Sequence, residues 1–348
     1  EIITKILNHQ HTLGVLPTGG GKSICYQVPG LMQGGTTIVI SPLISLMKDQ
    51  VDQLQAMGIQ AAYLNSSLTH KQQKEIEERI KRGAIQFLYV APERFENTFF
   101  LNLLRKIKIP LIAFDEAHCI SKWGHDFRPS YQSVIQKVFT LPQSFTIVAL
   151  TATATAEVQQ DIMSKLSIGQ NDVVKTSTKR RNLIFKVNPT YQRQKFVVDY
   201  VANHEGQAGI IYCSTRKQVE ELHEALNSEK IKSTIYHAGL TNKERIEAQN
   251  DFLYDRVEVV IATNAFGMGI DKSNVRYVIH YNMPGDLESY YQEAGRAGRD
   301  GLKSECILLF SERDKGLHEY FITVSQADDD YKDKMGEKLT KMIQYTKT

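Results

Sequence analysis

Three short stretches of this chain carry residue types suited to phosphoryl transfer. The first, LGVLPTGGGKS at residues 13–23, sets three glycines ahead of Lys22 and Ser23. Lacking Cβ atoms, Gly19, Gly20 and Gly21 let backbone N–H groups close on a phosphate. A helix starting behind them would turn its N-terminus to the anion. Thr18 belongs to the same cradle, Lys22 can reach the β- and γ-phosphates, and Ser23 can ligate Mg2+. The usual G-x-x-x-x-G-K-[ST] spacing fails at position 16, which is Leu. An ordinary glycine turn before a helix is the competing reading.

The second stretch is DEAH at residues 115–118, directly after the apolar run LIAF. At a strand tip Asp115 can hold Mg2+, commonly through water, and Glu116 can orient and deprotonate an attacking water. Alone, such acids often only cap the next helix. Beside a glycine loop they supply the metal holder that phosphoryl transfer also needs. The third stretch is QEAGRAGRDG, Gln292 to Gly301. Arg296 and Arg299 are three apart and share a face if helical. Their forked, permanent charge suits a γ-phosphate. A solvated basic helix end is the alternative for this segment taken alone.

These residues need elements to hold them. Continuous apolar runs mark strands at Thr36–Ile40, Gln86–Val90, Leu111–Phe114, Thr146–Leu150, Gly209–Tyr212, Val257–Ala262, Tyr277–His280 and Cys306–Phe310. Such runs fit parallel strands buried on both faces, and the intervening helical patterns imply βαβ units. The chain also resembles itself. TTIVISPLISLMKDQVDQL matches AGIIYCSTRKQVEELHEAL, and YLNSSLTHKQQKEIEERI matches YHAGLTNKERIEAQNDFL. Ser41 and Ser214 lead one pair. Thr69 and Thr241 lead the other, each with Gln72 or Glu244 three residues on, a capping box. Two copies of one α/β unit are expected, with a boundary near Lys175–Asn182. The glycine loop and the arginines then fall in different copies, so hydrolysis should require domain closure. After Phe310 the chain turns helical and charged, and Asp328–Asp330 reads as a loop.

At 348 residues the chain is long enough for two domains. It is 42% hydrophobic and 23% charged, an ordinary globular composition. A net charge of +3 is too small to argue for nucleic acid without a local basic groove. The four cysteines are scattered and form no CxxC, so neither a zinc site nor a disulfide framework is legible. Reduced thiols are expected. No apolar run reaches membrane-spanning length.

PTGGGKS, SPLISLMKDQ, DEAH, TATAT, ATNAFGMGID and QEAGRAGRDG occur in the order of superfamily 2 helicase motifs. In detail the chain resembles the RecQ family of DNA helicases along its whole length. DEAHCISKWGHDFRPSY matches that family's aromatic-rich loop. The resemblance implies an α/β fold of two tandem RecA-like domains, each a mainly parallel sheet flanked by helices. They would span residues 1–176 and 177–310, with 311–348 as the helical start of a zinc-binding region. It implies ATP and Mg2+ as cofactors and 3′-to-5′ unwinding of DNA in recombination and repair. Lys22 and Ser23 become nucleotide and metal contacts, Asp115 the metal carboxylate and Glu116 the acid/base. Gln292, Arg296 and Arg299 become γ-phosphate sensors, while Gly269 and Asp271 match the fifth motif, near the ribose. Ser41 to Gln50 and Thr151 to Thr153 match motifs linking strand contacts to the nucleotide. The family's adenine-reading Gln would precede Glu1 and its zinc-binding cysteines would follow residue 348. The sequence therefore reads as a core cut at both ends, with no zinc expected in it.

Single strands are tracked with aromatic platforms and a phosphate groove. Trp123, Phe127 and Arg128 are the candidates for contact with single-stranded and tailed duplex DNA, with His125 as a relay and Tyr131 as core. Lys48, Arg94, Arg216, Lys217 and His237 are candidate phosphate-side residues. A superfamily 2 RNA helicase and a nucleic-acid-binding scaffold without productive unwinding are the alternatives. The protein is expected to be a monomer, cytoplasmic with the nucleoid or nuclear, without membrane contact.

Overall fold

A computed structural model of the chain describes residues 1–347, excepting residues 125, 177–179, 265, 267–271 and 326–327 and the side chain at 45. The chain forms two compact units, Glu1–Lys179 and Arg180–Thr348.

In the first unit seven strands make one sheet: β1 (Thr12–Val15), β2 (Thr37–Ile40), β3 (Ala61–Leu64), β4 (Phe87–Val90), β5 (Leu111–Phe114), β6 (Thr146–Thr151) and β7 (Val173–Lys175). Their order is β3-β4-β2-β5-β6-β1-β7 and all pairs are parallel. Side chains alternate faces along a strand, and the core divides accordingly. Ile38, Ile40, Leu88, Val90, Ile112 and Phe114 pack on one side. Val39, Phe87, Tyr89, Leu111 and Ala113 pack on the other. With both faces covered, the strands are continuously apolar, which is why they could be read from sequence.

The second unit repeats the plan with β8 (Leu183–Pro189), β9 (Ala208–Tyr212), β10 (Ser233–Tyr236), β11 (Val259–Ala262), β12 (Val275–His280) and β13 (Ser304–Phe310), ordered β10-β11-β9-β12-β13-β8 and parallel throughout. Strand for strand this is the first sheet without β7, with β8 in the place of β1. Both capping boxes form, Thr69 with Gln72 and Thr241 with Glu244. Two helices, Glu312–Val324 and Asp329–Thr346, complete the second unit, where Leu339 and Met342 pack with Met283, Tyr290, Leu308 and Phe310. Asp328–Asp330 is no loop: Asp328 caps the last helix by accepting from the Tyr331 N–H, and Asp329 and Asp330 form its first turn. Acids there favour the helix dipole, so a run that looked like solvated turn chemistry is a helix start.

Candidate functional site

Parallel pairing brings every strand's C-terminal end in the first unit to one edge of the sheet, where α/β folds place their ligands. The loop after β1, Asp115 after β5, and Thr151 at the end of β6 meet there. The Leu16 N–H donates to the Thr151 carbonyl at 3.0 Å, which carries the β1–β6 pairing into the loop. The loop then turns tightly, with the Gly20 N–H on the Pro17 carbonyl at 2.9 Å. Gly21 has φ 76° and heads the helix Lys22–Gln33 without a side-chain cap. Gly19 and Gly20 are exposed. The first N–H groups of that helix are thus left to an anion, with Thr18, Lys22 and Ser23 half-buried around them. Behind them the buried Tyr26 hydroxyl lies 3.1 Å from that of Tyr89.

Asp115 is buried, its N–H donating to the Ile40 carbonyl at 2.9 Å and its own carbonyl accepting from the Tyr131 hydroxyl at 3.1 Å. Burial, then the neighbouring Glu116 carboxylate, push the Asp115 carboxyl well above the ordinary carboxylate range, and Lys22 pulls it back only in part. A buried carboxylate facing a like charge fits a site completed by a cation. Glu116 stands at φ 48°, ψ 49°, left-handed backbone that non-glycine residues rarely adopt. His118 Nδ1 lies 3.3 Å from a Glu116 carboxylate oxygen and 3.0 Å from the Thr151 hydroxyl. Since that hydroxyl donates to the Thr153 carbonyl at 3.0 Å, it accepts from His118, so Nδ1 carries the proton.

The aromatic-rich segment folds back on the DEAH turn. Gly124 permits this: a Cβ there would come 2.2 Å from the His118 carbonyl oxygen. Trp123 is half-buried against the first unit's core, with Lys122 Nζ 5.0 Å from its ring centroid. Arg128 donates to Asp126 at 3.1 and 3.2 Å and to the Pro42 carbonyl at 3.1 Å, joining this segment to the SPLISL turn. Phe127 is half-buried, Tyr131 is core as expected, and His125 lies outside the described residues. His118, Cys119 and Asp126 have ligand atoms within 4.8 Å of one another. Each already has a protein partner, in Thr151, Asp126 and Arg128 respectively.

The basic candidates divide. Lys48 is exposed and pairs with Asp52 at 2.5 Å, and Arg216 is exposed, as is Lys217. Arg94 is held by Glu77 at 2.7 Å against the Phe100 ring. His237 is turned inward at 4% exposure, its Nδ1 accepting from the Gly239 N–H, and it holds a turn rather than facing solvent.

In the second unit Gln292 rides the helix Leu287–Ala294, and Arg296 and Arg299 follow its end. Arg296 is 6% exposed and lies near the Tyr212 hydroxyl, whose pKa burial raises and the arginine's charge lowers, while that hydroxyl donates to the Phe266 carbonyl at 3.0 Å. The same helix is fastened by Glu293, 2.7 Å from His280 Nε2. Gly269 and Asp271 lie outside the described residues. Sequence reasoning missed His118 as a link and Arg180 as a support of the arginine turn. The DEAH string named the histidine but gave no partner across the sheet, and Arg180 sat in a segment read only as a boundary.

A DEAD/DEAH box helicase model matches residues 1–162 and a helicase conserved C-terminal domain model matches residues 192–301. The chain is 49% identical over 339 residues to the ATP-dependent DNA helicase RecQ of Bacillus subtilis, covering 97% of this chain and 57% of that protein. It is 46% identical to the RecQ helicase of Haemophilus influenzae, over 90% of this chain and 51% of the relative. The chain thus spans about half the length of these curated relatives. Among solved structures, Mycobacterium smegmatis helicase Lhr bound to ssDNA and AMP-PNP matches with TM-score 0.72 at 16% identity, over 97% of this chain and 52% of that one. Saccharomyces cerevisiae Dbp5 bound to RNA and ADP BeF3 matches with TM-score 0.70 at 19% identity, over 97% and 93%. Both are tandem α/β folds of the same kind.

Proposed function

Because this chain belongs to the RecQ family of helicases, we propose that it is the ATP-hydrolysing core of a DNA helicase that tracks single-stranded DNA 3′ to 5′ and opens duplexes in recombination and repair. The observation carrying this reading is the common sheet edge at which the glycine loop, Asp115 and the His118–Thr151 link converge. Phosphate is taken by the N–H groups of residues 19–23, with Lys22 at the β- and γ-phosphates. Ser23 and Asp115 would hold Mg2+, which neutralises developing phosphate charge. Glu116, beside the His118 ring, orients the attacking water and takes its proton. Arg296 and Arg299, with Gln292, act on the γ-phosphate, and Gly269 and Asp271 act near the ribose. Trp123, Phe127, Arg128, Lys48 and Arg216 face the strand, and the chain works as a monomer where the cell keeps its DNA.

The test is ATP turnover with ssDNA, with ssRNA and without nucleic acid, alongside strand separation of 3′- and 5′-tailed duplexes. Stimulation by ssDNA that Lys22→Ala or Glu116→Gln abolishes is the expected result. Equal or greater stimulation by RNA overturns the DNA assignment, and unwinding from a 5′ tail overturns the polarity.

A further inference from the structure

Arg180, the first residue of the second unit, donates its guanidinium to three backbone carbonyls. Nη1 bonds the Gly295 carbonyl at 3.1 Å, and Nη2 bonds those of Ala297 at 3.0 Å and Gly298 at 2.6 Å. Asn182 accepts from Arg180 Nε at 3.3 Å and donates to the Gly298 and Leu302 carbonyls at 2.8 and 2.9 Å. These carbonyls belong to the turn that follows the helix Leu287–Ala294, where that of Gly298 also accepts from the Gly301 N–H at 3.0 Å. A guanidinium there completes their hydrogen bonding and complements the helix dipole. Gly298 holds φ 56°, and a Cβ on it would stand 2.5 Å from Asn182 Nδ2, so the turn and its clamp are fitted to each other. Arg296 leaves the backbone between two of the clamped carbonyls, and Arg299 leaves directly after the third.

We propose that Arg180 is a positioning residue for Arg296 and Arg299: its fork fixes the backbone turn from which both side chains depart. The proposal rests on the reading that these arginines act on the γ-phosphate. A lysine keeps the charge but, as a point donor, cannot span three carbonyls. Displacement of a positioned group by an ångström costs up to about 100-fold in rate.

The experiment measures DNA-stimulated ATP turnover for Arg180→Lys, Arg296→Ala and the double variant, with Asn182→Ala as the milder lesion. The expected result is a kcat lower by about 10- to 100-fold for Arg180→Lys. The KM for ATP and the half-saturating ssDNA concentration should stay within about two-fold. In the Arg296→Ala background Arg180→Lys should add less than its full effect, because both lesions act through one group. Full additivity, or unchanged kcat in a folded Arg180→Lys chain, overturns the proposal. If Arg180→Lys does not fold, Asn182→Ala decides: a lower kcat at constant KM supports the role, and unchanged kcat removes it. Should Arg296→Ala itself keep full turnover, the reading of the arginines falls and this inference falls with it. Loss in Arg296→Ala with none in Arg180→Lys removes the inference alone.

Discussion

His118 and Thr151 are joined across the tips of two neighbouring strands, Nδ1 standing 3.0 Å from the threonine hydroxyl while also facing Glu116. The histidine beside the residue that would activate water is therefore fastened to the end of the next strand, whose last carbonyl also holds the first residue of the phosphate loop. Thr151→Val keeps the branched shape and deletes only the hydroxyl. It should cost about 1–3 kcal/mol of stability, the penalty for leaving a buried donor short of its acceptor. The kcat should fall about 10-fold with little change in the KM for ATP. Thermal unfolding and steady-state turnover check both, and a Thr151→Val chain with wild-type kcat disposes of the link.

Glu116→Gln preserves shape and removes the proton acceptor. Loss of a general base is expected to lower kcat by about 10²- to 10⁴-fold. Binding of a fluorescent nucleotide should survive, since no phosphate contact is altered. Equal loss of binding and turnover would place Glu116 in the nucleotide seat instead.

Asp115 gives a pH-dependent prediction. Burial and Glu116 hold its carboxyl above the ordinary carboxylate range, so the folded protein prefers it protonated. That disfavours the folded state once the unfolded chain would ionise. Stability without metal should thus decline as pH rises from the usual carboxylate range to the raised value. Cation binding needs the ionised form and should strengthen over the same interval. Asp115→Asn should flatten the first profile, raise the unfolding temperature at neutral pH and abolish Mg2+-dependent turnover. An Asn variant as pH-sensitive as the parent would refute this account.

Trp123 packs half-buried against the core, so Trp123→Ala should lower the unfolding temperature modestly. Its larger effect should be on stimulation of turnover by ssDNA, because a lost stacking platform costs about 1–3 kcal/mol per base. Trp123→Phe should restore most of it. A large fall in unfolding temperature with normal DNA stimulation would show the indole to be purely structural.

Asp314 gives a test of architecture. Buried at 3% exposure, it pairs with Arg193 and accepts from the N–H groups of Met283 and Ser311 and from the Asn282 amide. Asp314→Ala should destabilise the second unit by about 3–5 kcal/mol, because Arg193 is left buried without its counter-charge. Denaturant unfolding reads this directly, and replacing Arg193 and Asp314 together with apolar residues should recover part of the loss.

Much of this was legible in the sequence for a definite physical reason. Strands such as Leu111–Phe114 are covered on both faces and become unbroken apolar runs. β8 escaped notice because its exposed and half-buried positions alternate at a sheet edge. β1 was hidden by Gly14 breaking its apolar run, and β10 by half-buried positions throughout. The glycine loop, Asp115 and Glu116 were readable because their chemistry sits in contiguous residues. Thr151 with His118, and Arg180 with the arginine turn, are separated by 33 and more than 100 positions. Only the strand order brings them together.

The two sheets share their order, with β8 standing where β1 stands. Yet β1 leads into a glycine loop, while β8 leads through Thr190 to Gln192 into the helix Arg193–Ala202, with no glycine run. Duplicated architecture has therefore not duplicated the seat. The consequence is a stoichiometry: calorimetric titration should count one nucleotide per chain, and any cycle built on this pair of look-alikes must advance one fuel molecule at a time.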